Sequence, residues 1–427
     1  MVSYLNFSIK FILVFLPFSL FISTAVSDIL ISLSGILIII ILFLNKNNKY
    51  YLNKYFIYFL FFYFYLIISS ILSVNIILSF ESSLFYFRFL FFTIAIIYCF
   101  KTSKKFIKFF FVAILSATSI VALDGISEFI FEKNFLSFLE GDHEVTTGRI
   151  SGVFGDEYIL GSYLVRLLPI TLGLFIYLNI QNIKIKIYIL IYILLISTAI
   201  LISGERTAIL MLGILLFLII LTLKNLRSIL MSFILLFSLI ITLTLSFDNN
   251  LKKRVVDKSF LDIYELNYKF NIFSVQHEVV YLSSLKMFND NKLFGIGPKI
   301  FRELCKKDKY KTFTKYDGSR DGCQSHPHNT YIQILTETGI LGFIIFLIPV
   351  VFLFYKVLIN IFKCCFKSIN EIYTLNALSL IAIFVNLWPI MPTGNFFNNY
   401  LSILYFIPIG FYFASNQNLS FYSEKDS

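Results

Sequence analysis

One apolar run follows another along this chain, each close to the ~20 residues that a helix needs to cross a bilayer. In hydrocarbon every backbone N–H and C=O must be satisfied within the segment or in a closed barrel, so few architectures can accept such a pattern. No alternating strand pattern competes with the runs, which points to helices. About twelve spans meet the length criterion: residues 8–26, 28–45, 56–73, 83–100, 106–131, 158–178, 187–203, 207–223, 228–247, 331–356, 372–391 and 401–415. The chain is 58% hydrophobic and 14% charged, too apolar for a soluble surface. The run ending Ser23-Thr24-Ala25-Val26-Ser27 resembles a signal-peptide cleavage region, but a second span follows at once and the reading retains it as a helix. The expected organisation is a membrane bundle over 1–247, a long, partly helical loop over 248–330, and a second bundle with a short tail over 331–427.

Lysines and arginines in the short loops set the orientation. Lys46, Lys49 and Lys54 follow the second span; Lys101, Lys104, Lys105 and Lys108 the fourth; Lys184 and Lys186 the sixth. Lys224 and Arg227 follow the eighth, and Lys356, Lys363 and Lys367 the tenth. These loops read as cytoplasmic. The turn at Ser27, segments 74–83 and 132–157, the Ser203–Arg206 turn, 248–330 and 392–400 then face outward, with both termini inside. The formal net charge of +11 is spread along the loops rather than gathered in a nucleic-acid motif, so no nucleic-acid partner is expected. Cys305 and Cys323 lie on the long outward loop. An oxidising compartment would allow them to pair, but spacing alone leaves the pairing open. Cys99, Cys364 and Cys365 fall on the inner side and are expected to stay reduced.

Several polar residues go beyond what a membrane bundle requires. Arg149 precedes the Gly-rich stretch Gly152–Gly161, where backbone or ligand can approach closely. Glu205 and Arg206 occupy a hairpin too tight for a solvated loop. Arg88 and Arg166 fall in the outer halves of their spans, where charge is costly unless it meets a polar cavity or a partner. The chain has far more lysine than arginine, and of its eight arginines only Arg227 belongs to an inner loop. A planar, bidentate guanidinium on the outer side suits a phosphate or diphosphate better than a flexible ammonium does.

The outward loop carries an amphipathic stretch, Ser274 to Asn289, with Gln276, His277 and Glu278, and Gly295-Ile296-Gly297-Pro298 is expected to break and restart a helix. Residues 306–322, rich in Lys, Tyr, Asp and Gly, read as a mobile loop. Then comes Ser325-His326-Pro327-His328-Asn329, set against the start of a span, with Gly339 and Gly342 spaced to let another helix approach. Two histidines and an Asn raise the question of a metal. Glu205, Asp156, Glu157 or Glu278 would have to complete such a site in space, and no Cys/His spacing supplies a third ligand, so no metal is expected. A neutral imidazole acting as general base, or a His that caps the helix, uses these residues better.

His328-Asn329, nine residues, then Gly339-Ile340-Leu341-Gly342 resembles a motif of the O-antigen ligase and O-antigen polymerase superfamily. The likeness extends over about residues 145–345: the Arg149–Gly161 segment, the Glu205-Arg206 turn, Gly295-Ile296-Gly297, and one long outward loop before the motif helix. It implies a GT-C-like, all-α integral membrane fold and a bacterial inner-membrane enzyme with a periplasmic active site. That enzyme would move a glycan from undecaprenyl diphosphate to lipid A-core or a similar acceptor without metal or cofactor. On this resemblance His328 takes the proton of the acceptor hydroxyl and Arg206 stabilises the leaving diphosphate. Arg149, Arg88, Arg166, Glu205, His277, His326 and Asn329 are the expected substrate-binding residues. One departure is His277, in a position where related sequences often carry Arg. The related alternative is a polymerase joining lipid-linked units. The unrelated one is a transporter, for which the chain lacks a convincing internal repeat.

Overall fold

A computed structural model describes residues 2–45, 54–132, 149–179, 183–263, 273–313, 321–364 and 371–416. Lys46, Lys49, Lys367, Cys365 and segments 133–148 and 314–320, on which some expectations rest, lie outside the described residues, as do the side chains of Lys184, Lys363 and Cys364. Among the described residues there is no strand. In chain order the helices are α1 (Val2–Ile22), α2 (Thr24–Leu44), α3 (Lys54–Ile71), α4 (Ile76–Ser83), α5 (Arg88–Thr102), α6 (Lys104–Phe131), α7 (Leu160–Asn179), α8 (Ile183–Ile202) and α9 (Arg206–Thr222). They continue with α10 (Arg227–Phe247), α11 (Asn249–Lys252), α12 (Lys258–Ile263), α13 (Val275–Asp290), α14 (Phe301–Leu304), α15 (Thr330–Cys364), α16 (Glu371–Asn386) and α17 (Asn399–Ser415).

Every expected span falls on a helix, and among the described residues nine helices are long and apolar enough to cross a membrane. Two more apolar helices, Arg206–Thr222 and Glu371–Asn386, are shorter. The chain is an all-α polytopic membrane protein. One expectation needs adjusting: segment 74–83 is not a plain loop but helix α4, so the following helix begins at Arg88 rather than at 83. Asn75 starts α4 by accepting from Leu78 N (3.2 Å), and the Ser70 hydroxyl bonds those of Ser83 (2.7 Å) and Ser79 (2.9 Å). With its polar side chains paired inward, this turn is satisfied as a helix.

Burial grades the helices from centre to rim. In α7, 89% of the spanning window is buried within the protein, against 17% in α10, whose Met231, Leu235, Leu239 and Leu243 are exposed. Exposed aliphatic side chains at that density are what a lipid-facing helix presents. Helix α7 packs on α16, α6, α8 and α9, and α17 packs on α16 and α5. One continuous apolar core runs from Ile9 of α1 to Ala414 of α17, so the N-terminal and C-terminal spans form one bundle. The long segment between α10 and α15 has its own small core of Val280, Met287, Ile296, Ile300, Phe301, Leu304, Cys305 and Tyr310.

The loops predicted to share one side meet at one end of this bundle. Asn75 bonds both carboxylate oxygens of Glu303 (3.1 Å), Lys299 pairs with Glu81, and Ile150 N reaches Ser203 O at 3.4 Å. Arg254 reaches Gly204, and Thr393 reaches His328.

Candidate active site

The turn between α8 and α9 builds a cationic pole. Glu205 does not project into solvent: it is buried, and its carboxylate accepts from Gly161 N (2.6 Å), Ser162 N (3.3 Å) and Ser162 Oγ (2.8 Å). It therefore caps the start of α7 from another part of the chain, supplying acceptors for N–H groups that have no partner within the helix. Gly161 makes this possible, since a Cβ there would fall 2.6 Å from Ser203 Oγ and 3.2 Å from Glu205 Oε1. Burial raises the Glu205 carboxyl above its ordinary range even though these donors and Arg149 favour the charged form.

Three guanidinium groups surround this cap. Arg206 opens α9 one residue after Glu205, half-buried. Arg149 donates to Tyr158 O (3.0 Å) and lies 4.5 Å from the centre of the Tyr158 ring, while its Nε is buried without a partner. Arg254 donates from Nε to Gly204 O at 2.9 Å. Burial lowers Arg149, and Arg206 pushes it in the same direction against the opposing field of Glu205. Burial, then Arg149 and Arg206, bring Arg254 down to about 10, so it remains a cation at neutral pH.

The second pole is histidine-rich. The rings of His326 and His328 lie 4.0 Å apart and those of His277 and His328 5.9 Å apart. Ser325 Oγ meets His326 Nδ1 at 2.9 Å, His326 Nε2 lies 3.3 Å from Thr393 O, and Ser274 Oγ meets His277 Nδ1 at 2.6 Å. Burial and the neighbouring His328 push His326 down to about 3, and burial alone lowers His328, so both are neutral at pH 7. His328 sits in the left-handed backbone region at φ 57°, held there by Thr393 N donating to its carbonyl at 2.8 Å. A non-glycine residue in that region carries strain of about 1 kcal/mol or more, the kind that persists where surrounding structure imposes it. Asn329 then caps α15: Oδ1 accepts from Tyr331 N (3.0 Å) and Ile332 N (3.1 Å), and Nδ2 donates to Pro389 O (2.8 Å).

Gly339 departs from its expected role. It breaks α15, with φ 68° and ψ −173° inside the helix. The break would orphan two carbonyls and two N–H groups, but residues 292–297 are laid against it. Ile296 N and Gly297 N donate to Thr336 O (3.1 Å) and Glu337 O (2.8 Å), while Ile340 N and Leu341 N donate to Lys292 O (2.8 Å) and Leu293 O (3.4 Å). The inserted backbone replaces the two helical bonds lost at the break. A Cβ on Gly339 would fall 2.5 Å from Gly295 N. Helix α3 seals the joint, with Tyr65 OH donating to Thr338 O (2.6 Å) and Ser69 Oγ to Phe294 O (3.1 Å). The expected close approach does occur at Gly342, which has no room for a Cβ beside Tyr65. Gly295–Pro298, expected to restart a helix, is instead this insert, and the restart is the single turn of α14. Cys305 and Cys323 are disulfide-bonded, their Cα atoms 4.9 Å apart, which ties α14 to the segment leading into His326. Part of 306–322 is held as well: Thr312 Oγ1 donates to Val279 O (2.6 Å) and Lys309 pairs with Asp290 (2.6 Å).

Two expected site arginines have their own partners. Arg88 pairs with Asp28 of α2 at 2.6 Å and donates to Ser32 Oγ at 3.3 Å, joining α5 to α2. Arg166 is buried in α7 and donates to Ser162 O at 3.2 Å. Sequence reasoning missed Arg254, which follows Lys252 and Lys253, and Arg302 of α14, whose charge bears on His326. The concentration of arginine outside the predicted inner loops, where only Arg227 falls, was the signal that could have marked both. It also missed Gln333, which donates to Glu337 Oε2 (3.0 Å) and Asn395 Oδ1 (2.7 Å) and accepts from Phe396 N (2.9 Å).

Fold and site together define a polytopic helical membrane protein with a cationic pole and a histidine pole among the loops at one end of its bundle. Residues 191–347 match the family model described as O-antigen ligase, which supports the likeness to the O-antigen ligase superfamily. The matched stretch contains Glu205, Arg206, Arg254, His277, His326, His328, Asn329 and Gly339, and leaves out Arg88, Arg149 and Arg166. No curated protein matches the chain.

Proposed function

We propose that the protein is an O-antigen ligase-type glycosyltransferase, moving a glycan from undecaprenyl diphosphate to lipid A-core or a similar acceptor at the outer face of the bacterial inner membrane. The observation that carries this reading is the pairing, within the family-matched stretch, of half-buried neutral imidazoles with guanidinium groups at the same end of the bundle. His328 takes the proton from the acceptor hydroxyl as its oxygen bonds to the anomeric carbon. The bond from that carbon to the diphosphate oxygen breaks, and its electron pair leaves with the lipid diphosphate. Arg206 and Arg149 stabilise the charge that develops there, the largest kind of contribution an enzyme site makes to such a step. Attack opposite the leaving group inverts the anomeric centre. No metal enters these steps. His277 and His326 orient His328, Asn329 fixes the helix start behind it, and Glu205 holds the arginine turn against α7. Arg88 and Arg166, each with a partner, set the walls around the site.

Reconstitution with a polyprenyl-diphosphate-linked glycan, offered lipid A-core and a second lipid-linked unit separately, tests this. Transfer to lipid A-core should fall by about 10²–10⁴-fold in His328→Ala and about 10²–10³-fold in Arg206→Ala. Extension of the lipid-linked glycan instead would make the protein a polymerase. Full activity in both folded variants would remove the mechanism.

A further inference from the structure

We propose that Arg254 is a third guanidinium of the anion site, and that it makes the site selective for a diphosphate over a monophosphate. This rests on the donor class proposed above. Three segments distant in sequence converge on one turn. Ile150 N bonds Ser203 O (3.4 Å), which brings the neighbouring Arg149 to the turn; Arg254 Nε bonds Gly204 O (2.9 Å); and Arg206 leaves the same turn at the start of α9. The bond to Gly204 uses Arg254 Nε, and the guanidinium's two terminal nitrogens are not needed for it. Glu205 directs its carboxylate to Gly161 and Ser162 on α7, so its hydrogen-bonding capacity is spent on the helix cap.

The local backbone supports a specific placement. Arg254 lies in a π-helical turn, Lys253–Asp257, set between α11 and α12. Such turns are rare and recur at functional sites, because the extra residue redirects side chains that a regular helix would send elsewhere. Lys252 and Lys253, the preceding residues, are exposed, whereas Arg254 is half-buried against the turn. Arg149 and Arg206 both bear electrostatically on Arg254, as expected for cations gathered around one place.

The chemistry explains the number. A glycan joined to a lipid through a diphosphate carries one negative charge on each phosphate, and the departing lipid diphosphate gains one more when the anomeric bond breaks. A site that must hold two phosphates and then an added charge uses a third cation, whereas one phosphate can be gripped by a single bidentate fork.

The test is competition of donor transfer by a short-chain polyprenyl diphosphate and by the matching monophosphate, using the full-length protein in micelles. Arg254→Ala should weaken inhibition by the diphosphate roughly tenfold and leave the monophosphate within about twofold, for the loss of one charge-assisted contact. Arg254→Lys should recover part of the diphosphate preference, and Arg206→Ala should weaken both inhibitors. Equal loss for both compounds in Arg254→Ala, or no loss, overturns the assignment of Arg254 while leaving the proposed reaction intact if Arg206→Ala still loses both. If Arg206→Ala also binds both compounds as the wild type does, the donor class itself is wrong. A thermal melt on each variant separates misfolding from lost binding, and Arg254→Lys keeps the test informative if Arg254→Ala melts early.

Discussion

The two poles of the site are held in place differently. At the histidine pole the backbone does the positioning: Gly339 opens α15, residues 292–297 take over its broken hydrogen bonds, and Thr393 N holds the carbonyl of a left-handed His328. At the arginine pole side chains do it: Glu205 caps α7, while Arg149 and Arg254 bond carbonyls at Tyr158 and Gly204. Backbone bonds fix a general base within a narrow range of positions, which proton transfer requires. Long side chains on a turn can adjust as charge moves onto a leaving group. The difference matches the work proposed for each pole.

If the contrast holds, the most damaging change should be at the backbone-built pole. Gly339→Ala forces a side chain into a positive-φ position and against the 292–297 insert, and should cost about 3 kcal/mol or more of stability. Unfolding of the purified protein in micelles reads this, and a wild-type melt would mean that the insert does not hold the break. Glu205→Ala should cost less, about 2 kcal/mol, because it leaves buried donors of Gly161 and Ser162 unpaired. A larger loss in Glu205→Ala than in Gly339→Ala would reverse the comparison.

The smallest effect expected is on pH dependence. Burial lowers His328, so its neutral, proton-accepting form persists to lower pH than that of a free imidazole. An unshifted histidine would lose about half its base form at pH 6.5. The acid limb of the kcat/KM profile should therefore have its midpoint below that value. An acid limb at or above pH 6.5 would show that a different group, or a solvated His328, sets the rate.

Much of this molecule was legible from sequence because it depends on local chemistry. Hydropathy located the apolar helices, and the Ser274–Asn289 pattern located α13 to within a residue or so. His328, Asn329 and the Glu205-Arg206 turn stood out because polar residues beside a membrane helix are expensive. Glu205 was read as a partner for substrate, but the structure places its carboxylate on the N-terminus of α7, a partner more than forty residues away that no local pattern records. The glycines of the motif suggested helix packing. That is right at Gly342, while Gly339 serves a break whose compensating segment comes from beyond α13.

The sequence alone determined that the chain crosses a membrane in helices, where those helices lie, and which short stretches carry chemistry. Bilayer length, backbone satisfaction and the cost of stray charge are rules that act one segment at a time. Only the tertiary structure decided which polar groups share a site. It gathered Arg149, Arg206 and Arg254 on one turn, paired Arg88 with Asp28, and closed Cys305 onto Cys323. Those pairings are set by how the helices pack and where the loops return, and packing is a property of the whole bundle.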